Sequence, residues 1–265
     1  MIISSIHQIK HQDYCAQTSG NDWEAVVLAD GISATHEAGW AAKYAVTALI
    51  NRLKSANGNV SALFFQEVFN QLPELMRQQL PIDFRPIPTL DQIEHGFGTT
   101  LLCGVRQKET YWFAYVGNGG IIHLRSRCLH QTGNQYPIPW SAINLLNPHT
   151  IEQEGYERLY RYISPSSEQG HQRAVPTVLC LTETPGPSDY FIMCTDGIFS
   201  NDHLPFTNGD EGDIWLRYEK RLTILYDLLR KKPLLNQNDL DRYLRNLDTS
   251  GQLDDDATIS ILLNV

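Results

Sequence analysis

Three apolar runs in this chain are bounded by aspartate, and their placement limits what the chain can fold into. Residues 26–31 read VVLADG, residues 191–197 read FIMCTDG, and residues 254–263 read DDDATISILL. Each run is short, aliphatic or β-branched, and flanked by turn residues, the pattern of a buried strand. Asp30 and Asp196 end two of these strands, and Asp254, Asp255 and Asp256 lead into the third. Singly, each has an ordinary explanation, since Asp-Gly is a common turn pair and an acidic triplet before a strand is a solvated turn. Together they point to a site at a sheet edge. Carboxylates converging there without basic partners would repel one another. A divalent cation removes that cost, and Mg²⁺ and Mn²⁺ take oxygen ligands while keeping several waters. Two such ions bridged by one carboxylate acidify a shared water and hold a phosphoryl oxygen. The glycine after Asp30 and after Asp196 leaves room for a backbone carbonyl to approach a metal.

The remaining pattern places these strands in an α+β chain. Val46, Leu49, Ile50 and Leu53 recur at helical spacing, so 38–55 reads as an amphipathic helix. A second helix begins near Val60 with Phe64, Val68 and Leu72 on one face, and Pro73 is expected to kink or end it. Residues 81–97 carry three prolines and read as a surface excursion. GTTLLCGV and TYWFAYVG form a hairpin about Gln107-Lys108-Glu109, followed by the strand IIHLR. The polar stretch 130–172 is too long for a plain connection and is either a lid or a mobile insertion. VPTVLCL and DYFIMCTD are strands. Trp215, Tyr218, Leu222, Leu225 and Leu229 then mark a helix with Asp213 as its N-cap, 238–247 a shorter helix, and ATISILLNV a last strand. Neither repeat nor linker is evident, so 1–265 reads as one domain with helices on outer layers.

Composition narrows the partners. With 21 basic and 30 acidic residues the net charge is −9, which disfavours nucleic acid and anionic lipid. No apolar stretch approaches the roughly 20 residues of a membrane helix. The N-terminal MIISSIHQIKHQD has polar residues where a signal peptide is apolar, so a cytoplasmic location is expected. Of the 5 cysteines, Cys103, Cys180 and Cys194 lie in strand-like runs and read as buried thiols; Cys15 and Cys128 complete the set, with no C-x-x-C spacing.

Six segments, in order, are HQDY (11–14), VVLADG (26–31), GTTLL (98–102), YVGNGGIIHL (115–124), FIMCTDG (191–197) and DDAT (255–258). This succession resembles the metal-dependent protein serine/threonine phosphatases of type 2C. The resemblance implies a four-layer αββα sandwich, two mainly antiparallel sheets flanked by helix pairs, with 130–172 as a variable flap. It implies two divalent cations, Mg²⁺ or Mn²⁺, bridged by Asp30, with the Gly31 carbonyl on the second ion and Asp196 and Asp255 on the first. A slip of one residue would transfer the last role to Asp256. Asp13 resembles the aspartate that supports the metal-bound waters. The implied reaction is attack of a metal-bridged hydroxide on phosphoserine or phosphothreonine of a protein phosphorylated by a Ser/Thr kinase.

Some positions depart from the family pattern. Asn118 stands where an aspartate is usual and implies a weaker third ion, and Gln12 stands in a slot that is often glutamate. Gln8 replaces the expected phosphate-binding arginine, leaving His7 or Lys10 as substitutes. Ile32 follows the first Asp-Gly where animal members often have a histidine proposed as general acid, and His36, a few residues on, is the candidate here. The aromatics Tyr136, Trp140, Tyr156, Tyr160 and Tyr162, with Arg158 and Arg161, either contact a phosphopeptide or pin the flap to the domain. Two other functions stay open: a phosphatase-like regulatory or phosphoprotein-binding module of low activity, and a metal phosphohydrolase for small molecules.

Overall fold

The computed structural model describes residues 1–32, 36–80, 97–124, 142–153, 156–165, 173–181, 189–199, 212–232 and 234–263. The chain is α+β and divides into two compact units, each assembled from non-contiguous segments.

One unit comprises residues 1–9, 118–148 and 184–265. Its five-stranded sheet contains β1 (Ile2–His7), β6 (Gly120–Leu124), β7 (Ala142–Asn144), β11 (Tyr190–Cys194) and β12 (Ala257–Leu263). The order is β1-β12-β11-β6-β7, antiparallel throughout. Every residue of β11 and of β12 is buried, so β11 reads as an unbroken apolar run, whereas β12 buries Thr258 and Ser260 along with its apolar residues. Helices α3 (Gly212–Lys231) and α4 (Gln237–Thr249) supply the rest of the core: Leu222, Leu225 and Leu229 with Leu240, Tyr243, Leu244 and Leu247, against Tyr190, Ile192, Ile259 and Ile261. A capping box starts α4, in which Asn236 accepts from the Asp239 N–H and Asp239 accepts from the Asn236 N–H. The expected helix with Leu222, Leu225 and Leu229 is present. Its first residue is Gly212, so Asp213 lies inside the first turn rather than at the N-cap.

The other unit comprises residues 10–117 and 149–183. Its five-stranded sheet has the order β10-β5-β4-β3-β2, with β2 at Tyr14–Ser19, β3 at Trp23–Ala29, β4 at Leu101–Gln107, β5 at Thr110–Val116 and β10 at Thr177–Leu181. All pairings are antiparallel, and the expected β4–β5 hairpin turns at Lys108, whose φ is +54°. Helix α1 (His36–Ser55) buries Ala41, Ala42, Ala45, Val46, Leu49 and Leu53 against this sheet. Helix α2 (Ala62–Gln78) buries Phe65, Val68, Phe69, Leu72 and Met76. Ser61 caps it by accepting from the Phe64 N–H at 3.1 Å. Pro73 does not end α2: it is buried on the apolar face and the helix continues to Gln78, so packing outweighs the one hydrogen bond that the ring forfeits.

Of the 130–172 stretch, the structure describes residues 142–153 and 156–165. Besides β7 it contains the hairpin β8 (Thr150–Gln153) and β9 (Tyr156–Leu159). Tyr162 is buried, and its ring lies 5.2 Å from the Arg173 guanidinium carbon, while exposed Tyr160 carries Arg161 at 5.4 Å. Tyr136 and Trp140 lie outside the described residues, as do the side chain of Tyr156, residues 81–96 of the proline-rich excursion, and Cys128. Cys103 and Cys194 are buried as expected, Cys15 is half-buried, and Cys180 is exposed because β10 is an edge strand.

The chain leaves the second unit after Gly117 and re-enters it at His149, and these two residues are tied together. His149 donates its backbone N–H to the Gly117 carbonyl at 3.0 Å, and the Gly117 N–H donates to His149 Nδ1 at 3.2 Å. With Nδ1 accepting, the neutral ring carries its proton on Nε2, which lies 2.8 Å from Thr177 Oγ1. The ring is 4% exposed and stacks on Tyr115 with centroids 5.1 Å apart. Burial first, and the Arg161 charge second, push its pKa down to about 4. The unfolded chain therefore binds one more proton than the folded one between roughly pH 6.5 and 4. Stability from this group is present above that window and is lost as the pH falls through it, by about 3 kcal/mol in full. Urea unfolding of the wild type and His149→Phe from pH 7.5 to 4 should show a less stable variant with a flatter pH dependence. Parallel profiles would remove His149 as the source.

Candidate active site

Antiparallel register sets where the aspartates emerge. In the sheet of residues 1–9, 118–148 and 184–265, Cys194 at the end of β11 pairs with Ile259 near the start of β12 and with Gly120 at the start of β6. His7, the last residue of β1, pairs with Ala257. Asp196, Asn118 and the Asp254–Asp256 triplet therefore leave the same end of one sheet, although up to 138 positions separate them in sequence. In the other sheet, Tyr14 opposite Ala29 and Leu101 opposite Val116 put Asp13, Asp30, Thr99, Thr100 and Gly117 at one end.

Around Asp30 the backbone is clasped by the Gly-Thr-Thr segment. The Asp30 N–H donates to Thr100 Oγ1 at 3.1 Å, the Asp30 carbonyl accepts from the Thr100 N–H at 2.8 Å, and Thr99 Oγ1 lies 2.9 Å from the same carbonyl. Both threonines are buried, so these bonds are shielded from water. The Gly31 N–H donates to the Gln12 carbonyl at 3.3 Å, which joins the chain beside Asp13 to the Asp30 turn. Asp13 is 2% exposed and Gln12 is buried, whereas Asp30 is half-buried. Lys10 is exposed. His36 is the first residue of α1, and its side chain lies outside the described residues.

At the end of the other sheet, the turn after β11 is held by Thr195. Its N–H donates to the Thr258 carbonyl at 3.1 Å, and its Oγ1 accepts from the Thr258 N–H at 3.0 Å. Asn118 is buried and its side-chain amide donates to Asp196 Oδ2 at 2.9 Å. Asp256 is buried and accepts from the Ile9 backbone N–H, while half-buried Asp255 accepts from the Asp256 N–H at 2.8 Å. Cys194, two residues before Asp196, is buried, and burial and then the Asp196 charge push its thiol pKa up, so it stays protonated. His7 Nε2 lies 3.3 Å from Asp248 Oδ2 on α4.

The glycines of both Asp-Gly pairs are required by packing. A Cβ on Gly197 would sit 1.8 Å from the Asp256 carbonyl oxygen, and one on Gly31 would sit 2.6 Å from the Ala38 backbone in α1. Backbone comes too close at both positions for any side chain. Sequence reasoning missed Arg221, whose Nη1 donates to the Gly197 carbonyl at 2.7 Å; an arginine on an otherwise amphipathic helix gives no local signal of this.

The candidate donors are oxygens in each unit taken by itself, the Asp30 carboxylate and Gly31 carbonyl in one and the Asp196 and Asp255 carboxylates with the Asn118 amide in the other, and oxygen donors suit a hard divalent cation. Among the described residues, no three His, Cys, Asp or Glu side chains are grouped so as to hold a metal by themselves. Gly197→Ala and Gly31→Ala should each destabilise the protein by about 3 kcal/mol, Gly197 more, because backbone must move to admit the methyl. Thermal unfolding checks this, and a variant unfolding within 1 °C or so of wild type would contradict the close approach.

Residues 5–135 match the family model described as Protein phosphatase 2C. No curated protein sequence matches the chain. Among solved structures, the serine/threonine phosphatase of S. agalactiae is similar at 13% identity and TM-score 0.61, covering 98% of each chain. The serine/threonine phosphatase Stp1 of Staphylococcus aureus is similar at 12% identity and TM-score 0.57, over 100% of this chain and 94% of that one. RsbX, solved in complex with magnesium, is similar at 13% identity and TM-score 0.53, over 99% and 95%. The chain is thus similar to protein phosphatase 2C over residues 5–135 and has the fold of bacterial serine/threonine phosphatases of that type.

Proposed function

We propose that this chain is a divalent-cation-dependent phosphatase acting on phosphoserine and phosphothreonine in proteins. The observation that carries the reading is the emergence of Asp30 from one sheet, and of Asp196 and Asp255 from the other, each at a strand end fixed by register and by a glycine close contact. Asp30 and Gly31 would hold the cations through carboxylate and carbonyl oxygens, and Asp196 and Asp255 would hold one of them. Each of Asp255 and Asp256 accepts from one backbone N–H, and the half-buried state of Asp255 against the burial of Asp256 supports Asp255 as the ligand. When bound, two Mg²⁺ or Mn²⁺ ions would acidify water and neutralise phosphoryl charge. Asp13, buried beside the Asp30 turn, would accept hydrogen bonds from ordered water and orient it. One P–O bond forms from water, the ester P–O bond breaks, and the seryl or threonyl oxygen leaves with a proton. His36, at the start of α1, is the candidate donor of that proton. Exposed Lys10 would meet the phosphate as a point charge, and the pairing of His7 with Asp248 makes His7 the poorer choice. The substrate would be a phosphoprotein made by a Ser/Thr kinase in the cytoplasm. Among the described residues no helix is long and apolar enough to cross a membrane.

The reading is tested with an aryl phosphate and a phosphothreonine peptide, each with Mn²⁺, with and without chelator. Asp30→Asn and Asp196→Asn should lose on the order of 10³-fold in rate, the size expected when several kcal/mol of charge stabilisation are removed. Activity that survives chelator or both substitutions would falsify the proposal. Metal binding without turnover would leave a regulatory module, and turnover confined to the small phosphate would leave a small-molecule hydrolase.

Asn118 offers a second check. It donates an amide N–H to Asp196 Oδ2 at 2.9 Å, so Asn118→Asp would set two carboxylates against each other. Without metal the variant should melt lower than wild type. Mn²⁺ should raise its Tm by more than it raises the wild type's, and its rate at limiting Mn²⁺ should increase if a third ion is used. Equal Mn²⁺-induced shifts would show that residue 118 does not face a cation.

A further inference from the structure

Four acidic side chains, Asp196 and Asp254–Asp256, belong to two turns at the same end of one sheet, and a single buried cation touches both turns. Arg221 of α3 is 4% exposed. Its Nη1 donates to the Gly197 carbonyl at 2.7 Å, and its Nη2 lies 3.5 Å from Asp254 Oδ1. Its own backbone carbonyl accepts from Tyr243 Oη of α4 at 3.0 Å, so the arginine is anchored at its root by the neighbouring helix. The two turns meet within van der Waals distance, because Gly197 packs on the Asp256 carbonyl. The planar guanidinium thus spans the point where the Asp196–Gly197 turn and the acidic triplet touch. Asp254 is 79% exposed along its side chain, which makes that ion pair weak, whereas the bond to a buried carbonyl is charge-assisted and shielded.

We propose that Arg221 is a positioning residue that sets the spacing of the Asp196–Gly197 turn and the Asp254–Asp255 turn for a divalent cation. The inference rests on the phosphatase reading above. A planar fork presents two donors at a fixed spacing and so fixes the distance between two turns, whereas the compact lysine ammonium, with three rotatable donors, imposes no such spacing. Its charge alone would act in the opposite sense, since a fixed cation near Asp196 and Asp255 repels a second one. Geometry and charge therefore predict opposite effects of removing it.

Mn²⁺ binding is titrated by the electron paramagnetic resonance signal of the free ion, with metal-free Tm measured in parallel, for wild type, Arg221→Met and Arg221→Lys. Positioning predicts that the Mn²⁺ Kd rises about 10- to 100-fold in Arg221→Met, with Arg221→Lys in between, as for other residues that orient metal ligands. Tighter binding by Arg221→Met with Arg221→Lys at the wild-type value would reduce the role to charge and overturn the proposal. A lowered Tm with unchanged Kd in both variants would reduce it to fold stability and overturn it equally. If Arg221→Met does not fold, Arg221→Lys decides alone, and a wild-type Kd overturns the inference. A wild type that binds no Mn²⁺ would overturn the phosphatase reading as well, whereas Mn²⁺ binding equal in all three proteins overturns only the role of Arg221.

Discussion

Antiparallel hydrogen bonding is the constraint on which every candidate residue depends. Neighbouring strands that run in opposite directions bring the end of one beside the start of the next. A residue just after β3 or β11 therefore lies beside residues just before β4 or β12. A slip of one position would turn every side chain of a strand to the other face, and β11 and β12, buried along their whole length, would feel it at each residue. The apolar runs thus do two things. They are consistent with only a narrow choice of register, and the register fixes where the polar residue at the end of the run emerges.

Strand ends alone would leave the turns loose, and each sheet has its own means of tightening them. At Asp30 the means is neutral and local: two buried threonine hydroxyls and an amide bind the aspartate's backbone. At Asp196 it is partly ionic: Thr195 bonds to Thr258, Asn118 donates to the carboxylate, and Arg221 holds the next carbonyl. The difference follows from the charge present. Two aspartates, Asp13 and Asp30, lie at the first sheet end, whereas four acidic side chains crowd the two turns of the other, where a buried guanidinium offsets part of their repulsion. The chain's net charge of −9 makes such local compensation more necessary.

How much of this was legible in the sequence depended on whether the signal was local. Periodicity located α1, α2, α3 and α4 and the central strands, because their burial is continuous or strictly patterned. Pro73, expected to kink or end α2, lies inside a helix that continues to Gln78, because proline's effect on a helix is local and the packing around it is not. Cys180 misled for a related reason: β10 is as apolar as a central strand, but it lies at the sheet edge. The short strands β7, β8 and β9 carried no signal, being 3 or 4 residues of mixed polarity. Within the candidate site, the aspartates and Asp-Gly pairs were visible, yet the sequence-level reason for the glycines, room for a carbonyl to reach a metal, differs from the contact found, which is backbone packing on Ala38 and Asp256. The roles of Thr99, Thr100, His149 and Arg221 are created by through-space contacts across 32 to 70 positions or between a helix and a turn, and no residue pattern announces them.

The two halves of the candidate set also differ in what must form before they exist. Asp13 and Asp30 flank the β2–β3 hairpin, just before β2 and just after β3, and their placement needs only local pairing with low closure entropy. Asp196 and Asp255 need β11 against β12, β12 against β1 and β6 against β11, contacts that span most of the chain. The Ile9 N–H bound to Asp256 makes the dependence concrete: the acidic triplet takes its shape from a residue 247 positions away, just beyond β1. An acidic cluster that attains its geometry only once distant segments are paired is spared from presenting organised carboxylates to metal in the unfolded chain. Any cation it binds then stabilises the folded state selectively, by linkage. The same dependence means that a substitution far from the aspartates, at the β1–β12 seam for example, acts on their geometry as directly as one beside them.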